Sequence, residues 1–143
     1  MILGEYTHSI DTKGRIAIPA KFREKFKTGG IITRGLDHCL FMFERPEWDR
    51  LVKKIVALPL AQANARAFAR LMLSGASDAE IDSQGRVLIP DYLRVYAGLK
   101  KQAVLAGLYT RIEVWDIEAW SQYKLKTESA SDEIAERLGE LGI

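Results

Sequence analysis

Cysteine is nearly missing from this 143-residue chain, which holds Cys39 alone, and histidine is scarce, with only His8 and His38. One thiol excludes a disulfide within the chain, and one Cys with two His falls short of the four ligands a structural zinc usually takes. No metal is expected. Cys39 sits in "HCLFMF", where it reads as a small buried hydrophobe. No stretch approaches the ~18 uninterrupted apolar residues of a membrane span. The start, "MILGEYTHSID", turns polar too early for a signal peptide. A cytoplasmic protein with no membrane partner follows. There is no Gly-rich phosphate loop closed by Lys-Ser/Thr, no GxSxG and no HExxH, so no enzyme, cofactor or small-molecule substrate is expected.

What is present is an ordinary globular composition, 48% hydrophobic and 28% charged, enough to bury a real core. The formal net charge of +2 conceals an uneven distribution. Residues 8–27 carry Lys13, Arg15, Lys21, Arg23, Lys25 and Lys27 against only Asp11 and Glu24. Residues 113–143 carry eight acids against Lys124, Lys126 and Arg137. Such polarity places a positive field where a polyanion can meet it while the acidic end points elsewhere.

The chain is written twice. "DTKGRIAIP" at 11–19 returns as "DSQGRVLIP" at 82–90, and in the same register Phe22-Arg23 falls opposite Leu93-Arg94. After a one-residue slip, Gly35-Leu36 matches Gly107-Leu108, "CLFMFE" matches "RIEVWD", and Trp48 matches Trp120. A repeat this long indicates two copies of one folding unit, related by a pseudo-twofold.

Each copy shows the same order of signals. Alternation in "YTHSID" and "RIAIP" predicts two short strands joined as a hairpin, because Asp-x-x-Gly supplies a side-chain cap and a residue that tolerates positive φ. "AKFREKF" and "DYLRVYAG" follow a proline suited to a helix start, so each predicts a short helix. "GIIT" with "CLFMFE", and "AVLA" with "IEVWD", give two more strands per copy. "PEWDRLVKKI" and "EAWSQYKL" read as helices, the first with Trp48, Leu51 and Ile55 on one packed face. Between the copies, Ala61, Ala65, Phe68 and Met72 recur at helical spacing before Gly75. At the end Ser131 is placed to cap a last helix with Ile134, Leu138 and Leu141 on one face. The fold class is therefore α+β, mainly β with helices. Its divisions are a first repeat at 5–50, a helical linker at 51–75, a second repeat at 76–121 and a helical tail at 122–143.

The repeated tip carries the chemistry. An arginine just after a tight turn presents a planar fork of donors that suits phosphate oxygens or the O6/N7 edge of guanine. Arg15 and Arg86 are the candidate nucleic-acid contacts, with Asp11, Asp82 and Gly85 shaping the turns. The competing reading is a surface ion pair that merely closes each turn. Lys13 and the basic neighbours Lys21 and Arg23 favour phosphate in the first copy. Gln84 stands where the first copy has Lys13, so the two tips take unequal shares. Arg66 and Arg70 lie one helical turn apart but read as a solvated face or an interface ion pair rather than a second basic patch, and the aromatic residues read as core rather than as platforms for bases.

Two Asp-x-x-Gly-Arg tips followed by "xxIP" and a short helix, the lead-in "RLMLSGASDAEID", and "GLYTRIEVWD" together resemble the MraZ family, in the SpoVT/AbrB-like group of bacterial DNA-binding proteins. The resemblance spans nearly the whole chain. It implies a swapped-hairpin, double-split β-barrel made by two SpoVT/AbrB-like repeats within one chain. It also implies a ring-like homo-oligomer and a nucleoid-associated transcriptional regulator, typically a repressor of the cell-division and cell-wall gene cluster. Such a regulator reads short direct repeats in double-stranded DNA. Carried over by motif, Arg15 and Arg86 are the principal contacts, with Thr12, Lys13, Gly14, Gln84 and Lys21 assisting. The alternatives are a protein-interaction or antitoxin-like scaffold of the same fold, and an unrecognised enzyme.

Overall fold

A computed structural model describes residues 1–142. These residues form eight strands and six helices, and each copy runs in the same order of two strands, a helix, two strands and a helix. The first copy runs β1 (Leu3–Ser9), β2 (Arg15–Ala17), α1 (Ala20–Arg23) continued by a 3-10 turn, β3 (Gly30–Arg34), β4 (Leu40–Glu44) and α2 (Arg45–Val56). The linker helix α3 (Ala63–Ser74) leads into β5 (Ser77–Ala79), β6 (Arg86–Leu88), α4 (Asp91–Tyr96), β7 (Gln102–Leu108), β8 (Ile112–Asp116) and α5 (Ile117–Ser129). A final helix, α6 (Ser131–Leu138), ends in a 3-10 turn. Pro46 stands in the first turn of α2 and Gly75 ends α3, as their chemistry dictates.

The strands form an antiparallel six-stranded sheet in the order β1-β7-β8-β4-β3-β5 and a separate two-stranded ribbon of β2 with β6. Register makes the pseudo-twofold visible. Leu40 pairs with Val114 and Met42 with Ile112, so Phe41 faces Glu113, its own counterpart in the other copy. In the ribbon Ile16 faces Val87 in the same way, flanked by Arg15 with Leu88 and Ala17 with Arg86.

Two expectations change here. The two arms of each tip were expected to pair with one another, yet only the bridge between Ile10 and Ile16 does so in the first copy. Beyond it β2 pairs with β6, and β1 pairs with β7. The cause is burial: cross-copy pairing lets Ile16, Ile18, Val87 and Ile89 enter one common core with Phe22, Phe26 and Leu93. Each such side chain contributes roughly 1.5–3 kcal/mol on leaving water. The resemblance also implied a barrel, whereas the large sheet has two ends, β1 and β5, and no closed ring of strands forms among the described residues.

A second apolar cluster lies on the other side of the sheet, where Trp48 and Ile55 of α2 and Met72 of α3 pack on Phe43 and Trp115. Thr33 is fully buried there and donates through Oγ1 to the Met72 carbonyl at 2.6 Å. Arg34 Nη1 donates to the Leu71 carbonyl at 3.2 Å. Strand β3 thus satisfies carbonyls that the end of α3 leaves without helical partners. Ser131 does not cap α6. Ala130 holds the cap position, with no side-chain bond, because α5 and α6 are separated by that residue alone. Arg66 is drawn to the carbonyls of Leu60 and Ala61, both at 3.1 Å, and so ties down the loop before α3.

Candidate nucleic-acid interface

The two tips are built alike. In the first, the Asp11 N–H donates to the Arg15 carbonyl at 2.9 Å and the Gly14 N–H to the Asp11 carbonyl at 3.0 Å. Asp11 Oδ1 accepts the backbone N–H groups of Lys13 and Arg15, both at 2.9 Å, and Oδ2 accepts Arg15 Nε at 2.7 Å. In the second, Asp82 Oδ1 accepts the N–H groups of Gln84 and Arg86 at 2.9 Å, and Oδ2 accepts Arg86 Nε at 3.1 Å. Three donors converging on one carboxylate fix its charge. Asp11 is accordingly held below the usual carboxylate value, first by the Arg15 N–H, against an opposing push from desolvation, and further by the Arg15 side chain and the Lys13 N–H. Asp82 is lowered in the same way, with the Arg86 N–H foremost.

Gly14 and Gly85 are buried and adopt φ of +83° and +79°, a region that glycine enters without penalty. Their carbonyls reach across the ribbon: Gly85 accepts from the Ile18 N–H and Gly14 from the Ile89 N–H, each at 2.9 Å. Each copy's tip is therefore held by the other copy's strand.

Side chains alternate along a strand, so with Ile16 and Val87 buried, Arg15, Ala17, Arg86 and Leu88 occupy the opposite, outward face of the ribbon. The Arg15 and Arg86 side chains are 30% and 28% exposed. Their Nε atoms are engaged by aspartate, while the terminal nitrogens of Arg15 make no hydrogen bond among the described residues. Arg86 Nη1 stands 3.7 Å from Asp11 Oδ2, which ties the two tips together. The ion pairs of the competing reading are thus present, and they orient the guanidinium groups while leaving them accessible.

Thr12, Lys13 and Gln84 are exposed on the tips. Lys21 has a different setting, with its ammonium 5.6 Å from the ring centre of Tyr6 and 6.0 Å from that of Phe22. Two further arginines join the site, the basic neighbour Arg23 and its counterpart Arg94. The Arg23 guanidinium lies against Gly85, with Nε donating to the Ile18 carbonyl at 2.9 Å. The Arg94 guanidinium lies against Gly14, and its buried Nε has no partner among the described residues. The signal for both was in the sequence: they are the only cations besides Arg15 and Arg86 that recur at the same offset between the two motif-bearing segments.

No helix among the described residues is long and apolar enough to cross a membrane. Nor, among those residues, does any cluster of His, Cys, Asp and Glu have the makings of a metal site.

A family model described as "MraZ protein, putative antitoxin-like" matches the chain twice, over residues 1–71 and 72–140. A protein named Transcriptional regulator MraZ in Carboxydothermus hydrogenoformans is 49% identical over 138 residues, covering 96% of each chain. Its namesakes in Alkaliphilus oremlandii and Caldanaerobacter subterraneus are 48% and 45% identical over 143 residues, the full length of both chains in each case. With two tandem matches and relatives this similar from end to end, the chain belongs to the MraZ family.

Proposed function

We propose that this chain is a sequence-specific DNA-binding transcriptional regulator, a repressor of the cell-division and cell-wall gene cluster that reads short direct repeats. The observation that carries the reading is the outward pair Arg15 and Arg86 on one twofold ribbon, each guanidinium oriented by an aspartate. The printed names of the relatives support it. Arg15 and Arg86 make the principal contacts to double-stranded DNA. Thr12, Lys13, Gly14, Gln84 and Lys21 assist, and Asp11, Asp82 and Gly85 hold the tips in shape.

Cross-copy pairing of β2 with β6 supports a swapped-hairpin arrangement of the repeats at 5–50 and 76–121, around the linker at 51–75 and with the tail at 122–143. The protein works in the cytoplasm at the nucleoid, as a ring-like homo-oligomer. One ribbon offers few base contacts, and several ribbons at a fixed spacing multiply weak contacts through effective concentration.

The test is titration of the purified chain against DNA from upstream of its own gene across a salt series. A linear fall of log K with log salt, and preference over scrambled DNA, are expected. Binding that is equal on both DNAs would overturn sequence specificity. A second reading, an antitoxin-like scaffold, is favoured by the wording of the family description. It requires a protein partner that stays bound in nuclease-treated lysate.

A further inference from the structure

Away from the ribbon, an open groove of about 540 Å³ runs between α2, α3 and strand β4. Half-buried Leu51 and Phe68 give it its apolar surface, above the buried Phe41, Phe43 and Met72. Lys53, Lys54 and Arg111 stand among its other lining residues, with Glu47 and Arg50 paired to each other. Arg111 is committed to Glu113 at 2.9 Å, whereas Lys53 and Lys54 have no ion pair among the described residues. The groove therefore pairs an apolar bed with unneutralised positive charge.

The chain carries a segment with the complementary character. Every residue of α6 and of the 3-10 turn after it is exposed, and α6 has no buried residue. Even so, Ile134, Leu138 and Leu141 fall on one face, a stripe about 10 Å long at 1.5 Å per residue. At 100° per residue Glu133 and Glu140 run along one border of that stripe, and Asp132 and Glu136 lie behind it. Four acids stand against Arg137 alone, which pairs with Glu133 at 2.9 Å, so this segment is acidic where the groove is basic. None of the groove-lining residues belongs to α5 or α6. Helix α5 is anchored by Trp120 and Tyr123 against Trp115, and beyond it α6 carries its apolar face into solvent.

We propose that the groove of one copy of this chain receives α6 of a second copy, with Ile134, Leu138 and Leu141 on Leu51 and Phe68 and the flanking glutamates toward Lys53 and Lys54, Glu133 exchanging its pair with Arg137 for the new one. An amphipathic helix laid in a hydrophobic groove is a recurrent mode of recognition. The contact is heterologous, so each copy both gives a helix and receives one, and the series closes into a ring where the rotation permits. The inference supplies a contact for the self-association proposed above and does not depend on DNA binding.

Sedimentation velocity on the full chain without DNA tests it, with circular dichroism confirming that each variant is folded. Ile134→Asp with Leu138→Asp, and separately Lys53→Glu with Lys54→Glu, are expected to weaken self-association about tenfold or more. Adding Glu133→Lys and Glu140→Lys to the lysine variant is expected to restore it. Carboxyl-to-amine cross-linking of ¹⁴N and ¹⁵N chains assembled together is expected to yield mixed-isotope pairs between Glu133 or Glu140 and Lys53 or Lys54. Variants that assemble like the wild type would overturn this contact while leaving a ring standing. A wild-type chain that sediments as a monomer would overturn both. Cross-links confined to one isotope would show α6 on its own groove, which also contradicts the proposal.

Discussion

The guanidinium of Arg94 rests against Gly14 of the other copy, with its central carbon 2.6 Å from where a Cβ on that glycine would stand. Arg23 lies against Gly85 in the mirrored relationship, at 2.5 Å. Gly14→Ala must therefore accept both a left-handed backbone and a displaced arginine, at a cost of about 1–3 kcal/mol. Urea unfolding measures it. Arg94→Ala in the same chain should recover the steric part and leave the backbone part, so the two substitutions will not add.

The aspartates of the tips set an acid limit on their order. Both carboxylates have folded-state pKa values below the ordinary 3.8. Their contribution is complete above that value and is lost as pH falls through the folded pKa. Chemical shifts of the Lys13 and Arg15 amides are expected to titrate in that window below 3.8. In Asp11→Asn the transition at the first tip should disappear while that at Gln84 and Arg86 remains.

Thr33 seals the end of α3 from within the sheet. Thr33→Val keeps the shape of the side chain and strands the Met72 carbonyl in the core. The loss in unfolding free energy should be about 1–3 kcal/mol. A calorimetric scan reads it as a lowered Tm, with DNA affinity unchanged at temperatures where the fold is intact.

Cys39 is fully buried and donates to the Leu36 carbonyl. Burial first, and then the carboxylates of Glu113 and Asp37, push its thiol far above the ordinary value of 9.0. Since the thiolate is the reactive form, native protein at pH 8 should resist alkylation and unfolded protein should not. Rapid labelling of the native chain would place Cys39 outside the core described here.

The order and type of the elements were legible because each is punctuated locally. Short continuous apolar runs mark β3 and β4, Pro46 opens α2, and Gly75 closes α3. Pairing partners were not legible. Whether β2 joins its own arm or the other copy's β6 is decided by which arrangement buries Ile16 and Val87 together, and that is a property of the whole core. The site divides along the same line. The bonds from Asp11 to Lys13 and Arg15 are local and follow from Asp-x-x-Gly. The seats of Arg23 and Arg94 on the opposite copy's glycines emerge only when the copies interdigitate. Ser131 looked like a cap because the junction between α5 and α6 is shorter than its flanking sequence suggests.

Whether the ribbon's arginines face DNA is decided by paired titrations of wild type, Arg15→Ala and Arg86→Ala against the same upstream DNA. The pair between Arg15 and Asp11 is a surface one, of about 0–1 kcal/mol, so the variant should stay folded. Arg15→Ala is expected to lose about 1–3 kcal/mol of binding, with Arg86→Ala losing less, or to show a salt slope shallower by about one where the contact is to phosphate. Unchanged affinity and unchanged slope in both folded variants would contradict the account.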